Sequence, residues 1–208
     1  MSRDDWFRHT DWNTEIEADF DAHLRRARDK GQPLKIQAAM LAATHPEAAL
    51  HLLDRYLESG NRLFLAEAYQ TQARARLALG DIPGATESYC AALSREAEFP
   101  NLRTTSYVEY PLFVAEHGLQ ERYADALDVL DGKKALLGFA FPVEHFMWHA
   151  AKALIYSAQG KEQSARSEAQ AAITAADQTS SGLRYHQSLG LVGERYGKLR
   201  QRLRELSA

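Results

Sequence analysis

Residues 66–93 read AEAYQTQARARLALGDIPGATESYCAAL, and this stretch decides the fold class. Ala66, Tyr69, Ala73 and Leu77 recur at three- and four-residue intervals, the spacing that places side chains on one face of an α-helix. Gly80-Asp81 interrupts the pattern, and Ala85, Tyr89, Ala92 and Leu93 resume it. The order is helix, tight turn, helix. Alanines at 73 and 85 let the two backbones approach to the short end of the usual ~8–10 Å interaxial range.

Working outward, the stretch from Phe146 to Ile173 repeats the pattern with Ala153, Tyr156, Gly160, Ala165 and Ala172. Between the two, Ser106 to His117 and Arg122 to Leu136 read as a third pair of helices, with Pro111 straining the first and Tyr123 to Leu127 in the second. Upstream, Pro33 to Ala43 and His45 to Leu50 read as a further pair, with Pro46 in a first helical turn where its missing N–H is not needed. The second-helix alanines Ala49, Ala85, Ala126 and Ala165 lie 36, 41 and 39 residues apart, so the repeat is degenerate.

The arrangement resembles the tetratricopeptide repeat (TPR). Tyr69, Ala73, Gly80, Ala85, Tyr89 and Ala92 stand at that family's signature places, while Arg76 stands where an aromatic is usual. In the later copy His149, Lys152 and Ala169 depart from it. Trp12-Asn13, Glu98 to Leu102 and Gly182 to His186 also look like an uncharacterised bacterial TPR family, which implies no activity. The resemblance implies an all-α, α-α superhelix: a TPR-like solenoid of about four helical hairpins, over 33–59, 66–97, 104–136 and 145–177, in a single domain spanning 1–208. A solenoid needs capped ends, because a terminal repeat has no neighbour to cover its apolar face. We expect an N-terminal cap helix over 13–30, opened by a Thr14-x-x-Glu17 capping box, with Trp6, Phe7 and Trp12 folded over the first hairpin. A C-terminal cap helix is expected over 183–206, apolar at Leu189, Val192, Tyr196, Leu199 and Leu203, which brings the total to about ten helices.

The charge balance excludes several functions. A formal charge of −3 offers no global attraction to nucleic acid or to an anionic membrane, which argues against both as partners. The one cysteine, Cys90, rules out an intramolecular disulfide and suits a reducing compartment. The N-terminus lacks the basic, apolar and small-residue order of a secretory signal, and no segment approaches ~18 consecutive apolar residues. The expected location is the cytoplasm.

Few residues suggest chemistry. His145 and His149 stand four apart on an expected helix and could share one metal ion, but no obvious third ligand accompanies them and Phe146, Met147 and Trp148 favour a packing role. A nucleophilic Cys90 would need a base nearby in space and an activated thiolate, neither of which the sequence shows, and core packing is the expected role. Arg25, Arg26 and Arg28, and later Lys198, Arg200, Arg202 and Arg204, form basic clusters that read as solvated faces. No phosphate loop, nucleophile elbow or metalloprotease motif is present, so neither catalysis nor a cofactor is expected. The resemblance implies instead a concave groove lined by Glu67, Gln70 and Arg74 of one hairpin and by Met147, Ala150 and Leu154 of another. Phe139, Phe141 and Tyr185 are candidate interface aromatics. The expectation is a non-enzymatic adaptor that binds a protein or peptide, with an immunity protein neutralising a cognate toxin as the alternative and a metal-dependent enzyme as a remote one. A homodimer is left open.

Overall fold

The expected pairs of helices are visible in how each first helix ends. The helix Leu65–Ala78 closes with Asp81 N–H donating to the Arg76 carbonyl at 2.9 Å, and the helix Pro142–Ala158 closes with Lys161 N–H donating to the Tyr156 carbonyl at 2.9 Å. In both, the residue between is a glycine in the left-handed region, Gly80 at φ +75° and Gly160 at φ +71°, which a side chain would strain. The chain therefore reverses within a few residues, and the next helix returns along the one just finished.

The computed structural model describes residues 5–208, apart from the side chains of Asp5 and Phe139. Among these residues the chain is all-helical and without strands. Its α-helices are α1 (Thr14–Arg26), α2 (Gly31–Leu41), α3 (Pro46–Glu58), α4 (Leu65–Ala78), α5 (Ile82–Glu98), α6 (Ser106–Glu116), α7 (Tyr123–Gly132), α8 (Pro142–Ala158), α9 (Glu162–Ala176) and α10 (Gly197–Ser207). Short 3-10 turns lie at Asp5–Phe7, Gln120–Arg122, Lys134–Phe139 and Glu194–Tyr196. None of these helices is long and apolar enough to cross a membrane. Within the span read from the sequence as one domain, the chain divides into two compact units, Met1–Ser106 and Tyr107–Ala208.

In the first unit α2 pairs with α3 and α4 with α5, and α3 packs on α4. The core is built from Phe20, Leu34, Leu41, Leu52, Leu53 and Tyr56, each at most 3% exposed. Trp6 and Trp12 lie against Phe20, with ring centroids 5.4 and 5.5 Å away. The N-terminal segment is held there by Gln37, fully buried on α2: its Oε1 accepts from His9 N–H at 3.0 Å and its Nε2 donates to the His9 carbonyl at 2.8 Å. In the second unit α8 and α9 form the closest pair and α10 packs on α9. Ala165, Ala169, Ala172 and Ala176, all buried on one stripe of α9, present only methyl groups and let α9 approach its neighbours closely.

Three local expectations need correcting. The cap of α1 is Asn13 rather than Thr14: its carboxamide oxygen accepts from Glu15 N–H and Ile16 N–H, both at 3.0 Å, so a Thr14–Glu17 box does not form. The helix expected from Arg122 to Leu136 stops at Gly132 and gives way to the 3-10 turn. The helix expected over 183–206 is short: α10 begins only at Gly197, and 177–193 holds no helix. Leu189, Val192 and Tyr196 have helical spacing, but Gly190 and Gly193 fall among them, each costing a helix about 1 kcal/mol relative to Ala. Pro111 lies inside α6, which remains helical although no N–H is available there for the Tyr107 carbonyl.

Candidate functional site

The segment that lost its expected helix is the most distinctive surface of the second unit. Ser181 N–H donates to the Gln187 carbonyl at 2.7 Å and Ser181 Oγ to the His186 carbonyl at 2.8 Å, closing 181–187 into a small ring of backbone. Further turns follow, His186 N–H to Leu183 carbonyl at 3.3 Å and Leu189 N–H to His186 carbonyl at 3.0 Å. The loop is fastened to α8 by Val143 N–H, which donates to the Gly190 carbonyl at 2.8 Å. This bond satisfies one of the orphan donors at the α8 N-terminus. Gly190 also lies so close to Phe141 that an added Cβ would come within 2.4 Å of its ring.

This anchored loop exposes apolar groups. Tyr185 is 80% exposed, Leu189 52% and Leu183 41%. Elsewhere among the described residues the exposed large apolar side chains are Met40, Leu63, Leu79 and Phe99, which are scattered along the sequence. The Arg184 guanidinium stands 5.2 Å from the Tyr185 ring centroid, a cation–π pair that leaves both groups in solvent. The loop borders an open concavity of about 600 Å³. Such a loop can bind, because it is fastened to α8 while its aromatic and leucines are largely exposed to water.

The sequence marked Tyr185 as a candidate interface aromatic, but it assigned Leu189 to a helix stripe. Phe141, the second candidate aromatic, caps α8: its backbone N–H donates to Glu144 Oε2 at 2.8 Å, and the other oxygen of Glu144 accepts from the Tyr107 hydroxyl at 2.8 Å. The Phe139 side chain lies outside the described ones.

The residues expected to line a groove are engaged within their own units. Glu67 forms an ion pair with Lys35, which also lies 4.1 Å over the Phe64 ring. Gln70 is buried and its Nε2 donates to Thr105 Oγ1 at 2.7 Å, while Arg74 reaches the same hydroxyl at 3.4 Å. The structure therefore brings Gln70 and Arg74 together on one threonine. Met147, Ala150 and Leu154 are all buried on α8. Met147 accepts a hydrogen bond from the Tyr196 hydroxyl at 3.2 Å, and Tyr196 also packs on Phe146 with centroids 5.1 Å apart.

His145 and His149 are near neighbours, with rings nearly parallel and centroids 6.5 Å apart. His149 Nδ1 pairs with Glu168 Oε2 at 2.6 Å. Burial holds the His145 imidazole below the usual histidine range, and the adjacent His149 acts in the same direction. Further along α8, burial opposes the Lys152 ammonium, but its hydrogen bond to Asp131 and nearby negative charge outweigh this and raise its pKa. Among the described residues no group of three or more His, Cys, Asp or Glu side chains could hold a metal ion. Cys90 is half-buried on α5. In the first unit Asp21, Arg25, Lys30 and Arg55 border an open cleft of about 400 Å³ whose floor includes Leu24 and Leu34, and Arg55 and Asp21 pair across it at 2.6 Å.

Comparison with protein-family models, with curated proteins and with solved structures finds no match to this chain.

Proposed function

We propose that the chain is a binding scaffold of TPR-like helical hairpins that engages a protein partner through the 181–190 loop. One observation carries this reading: an anchored loop holds Leu183, Tyr185 and Leu189 in solvent within seven residues. Exposed aromatics near Arg are frequent interface anchors, and clustered apolar exposure on a folded protein marks interaction sites. The return of helix, glycine turn and helix at α4–α5 and α8–α9 supports the repeat reading. The commitment of Gln70 and Arg74 to Thr105 favours the loop over a groove made by those side chains.

The test is affinity capture from the source cell with the intact chain and with a Tyr185→Ser, Leu189→Ser double variant. Both positions are exposed, so the variant should unfold at the same denaturant concentration as the parent. A partner recovered in stoichiometric amount with the parent and lost with the variant supports the reading. A partner retained by the variant moves the site elsewhere, and recovery of none counts against a scaffold.

A further inference from the structure

We propose that residues 6–12 fill a peptide-binding groove of the first unit in cis, and that an extended peptide of a partner protein, with an aromatic side chain two residues ahead of an apolar one, displaces them. The clasp at His9 is the first reason. The carboxamide of one fully buried side chain, Gln37, accepts from the backbone N–H of His9 and donates to the carbonyl of the same residue. A strand residue holds its opposite number by the same exchange of two bonds. The clasp reads main chain alone, so it would hold any residue but proline.

Side-chain seats flank it at fixed offsets. Phe7, two residues before His9, is buried in the core cluster that contains Phe20, Leu24 and Leu34. Trp6 lies against Phe20 and stacks on His23, with centroids 5.4 Å apart in both cases. Main-chain bonds combined with seats for particular side chains are how grooves recognise extended peptides. The present occupant fits imperfectly: His9 Nε2 is buried and has no hydrogen-bond partner among the described residues. Such a nitrogen has given up water for nothing, whereas an apolar side chain in its place would lose nothing, which is why the displacing peptide carries one. The segment is also lightly held. Among the described residues its remaining polar contact with the helices is that of Asp11 Oδ1 with His45 Nε2 at 3.2 Å, on an Asp11 side chain that is 75% exposed, and Trp6 and Trp12 are only partly buried. This groove lies in the first unit and does not depend on the 181–190 loop.

The test titrates a fluorescein-labelled peptide of residues 5–13 bearing His9→Leu against the intact chain by fluorescence anisotropy. The parent should bind it weakly, because only molecules whose own segment has left the groove can accept it. Loosening the segment with Trp6→Ser, Phe7→Ser should tighten binding by about tenfold or more, and His9→Leu in the chain, which seats the segment better, should weaken it. Methylating the peptide nitrogen at the clasped residue leaves the protein untouched and should abolish binding. Equal binding by the three chains, or binding that survives the methylation, would overturn the proposal. So would a loosened chain that keeps its hydrogen-exchange protection in α2 and α3 yet does not bind. Loss of that protection in the loosened chain would make residues 6–12 part of the cooperative core and overturn it as well. A dimer of the parent that the peptide dissociates would overturn the partner protein in favour of a second copy of this chain.

Discussion

The Arg76 guanidinium reaches from α4 to the start of α5 and donates to the Gly84 carbonyl at 2.9 Å and to Ser88 Oγ at 3.2 Å. The one Ser88 hydroxyl proton is shared between the Gly84 carbonyl at 2.9 Å and Gln72 Oε1 at 3.2 Å, so the α4–α5 hairpin is closed by a polar bridge at the position where an aromatic would serve in the repeat it resembles. The bridge requires a close approach. A Cβ on Gly84 would meet Asp81 Oδ2 at 2.1 Å and Arg76 Cδ at 2.9 Å. Asp81 caps α5 by accepting from Gly84 N–H at 2.9 Å. Gly84→Ala must therefore displace the cap or the bridge, and the expected loss is about 1–3 kcal/mol. Urea denaturation measures it; an unchanged midpoint would show that neither contributes to stability.

Gln37 should hold the N-terminal segment more than it holds the core. Gln37→Leu keeps an apolar-compatible volume at a fully buried site but leaves the His9 N–H and carbonyl without the carboxamide, a cost of about 1–3 kcal/mol. The expected result is faster hydrogen exchange at His9 and a shifted fluorescence of Trp6 and Trp12, with α4–α5 exchange unchanged.

His145 should make stability depend on pH. Its folded pKa lies below the ordinary value, so the unfolded chain binds the proton more readily. Its contribution is present above the ordinary histidine pKa of about 6.5 and is lost as pH falls through that value toward the lowered one. His145→Gln should show a flatter fall in denaturation midpoint below about pH 6.5 than the parent. Parallel curves would mean that His145 does not titrate differently on folding.

Gly190→Ala should release the loop. The new methyl group would collide with the Phe141 ring, and the residue would be held at a φ of +70°. Exchange should quicken at the Val143, Ser181 and Leu189 amides while the α8–α9 core stays protected. A uniform fall across the second unit would instead make the loop part of its cooperative core.

Helices and their reversals were largely legible in the sequence, because their causes are local. The spacing of Tyr69, Ala73, Ala85 and Tyr89, the glycines at 80 and 160, and Pro46 at a helix start act through neighbours three or four residues away. The sequence also placed Trp6, Phe7 and Trp12 near the first hairpin, where they are found. Only tertiary structure decided that Gln70 and Arg74 meet Thr105, more than thirty residues away, or that the Val143 amide pairs with Gly190 and fixes the loop. The stripe of Leu189, Val192 and Tyr196 fits a helix as well as a loop. Its outcome rested on backbone partners distant in sequence, and periodicity carries no information about those.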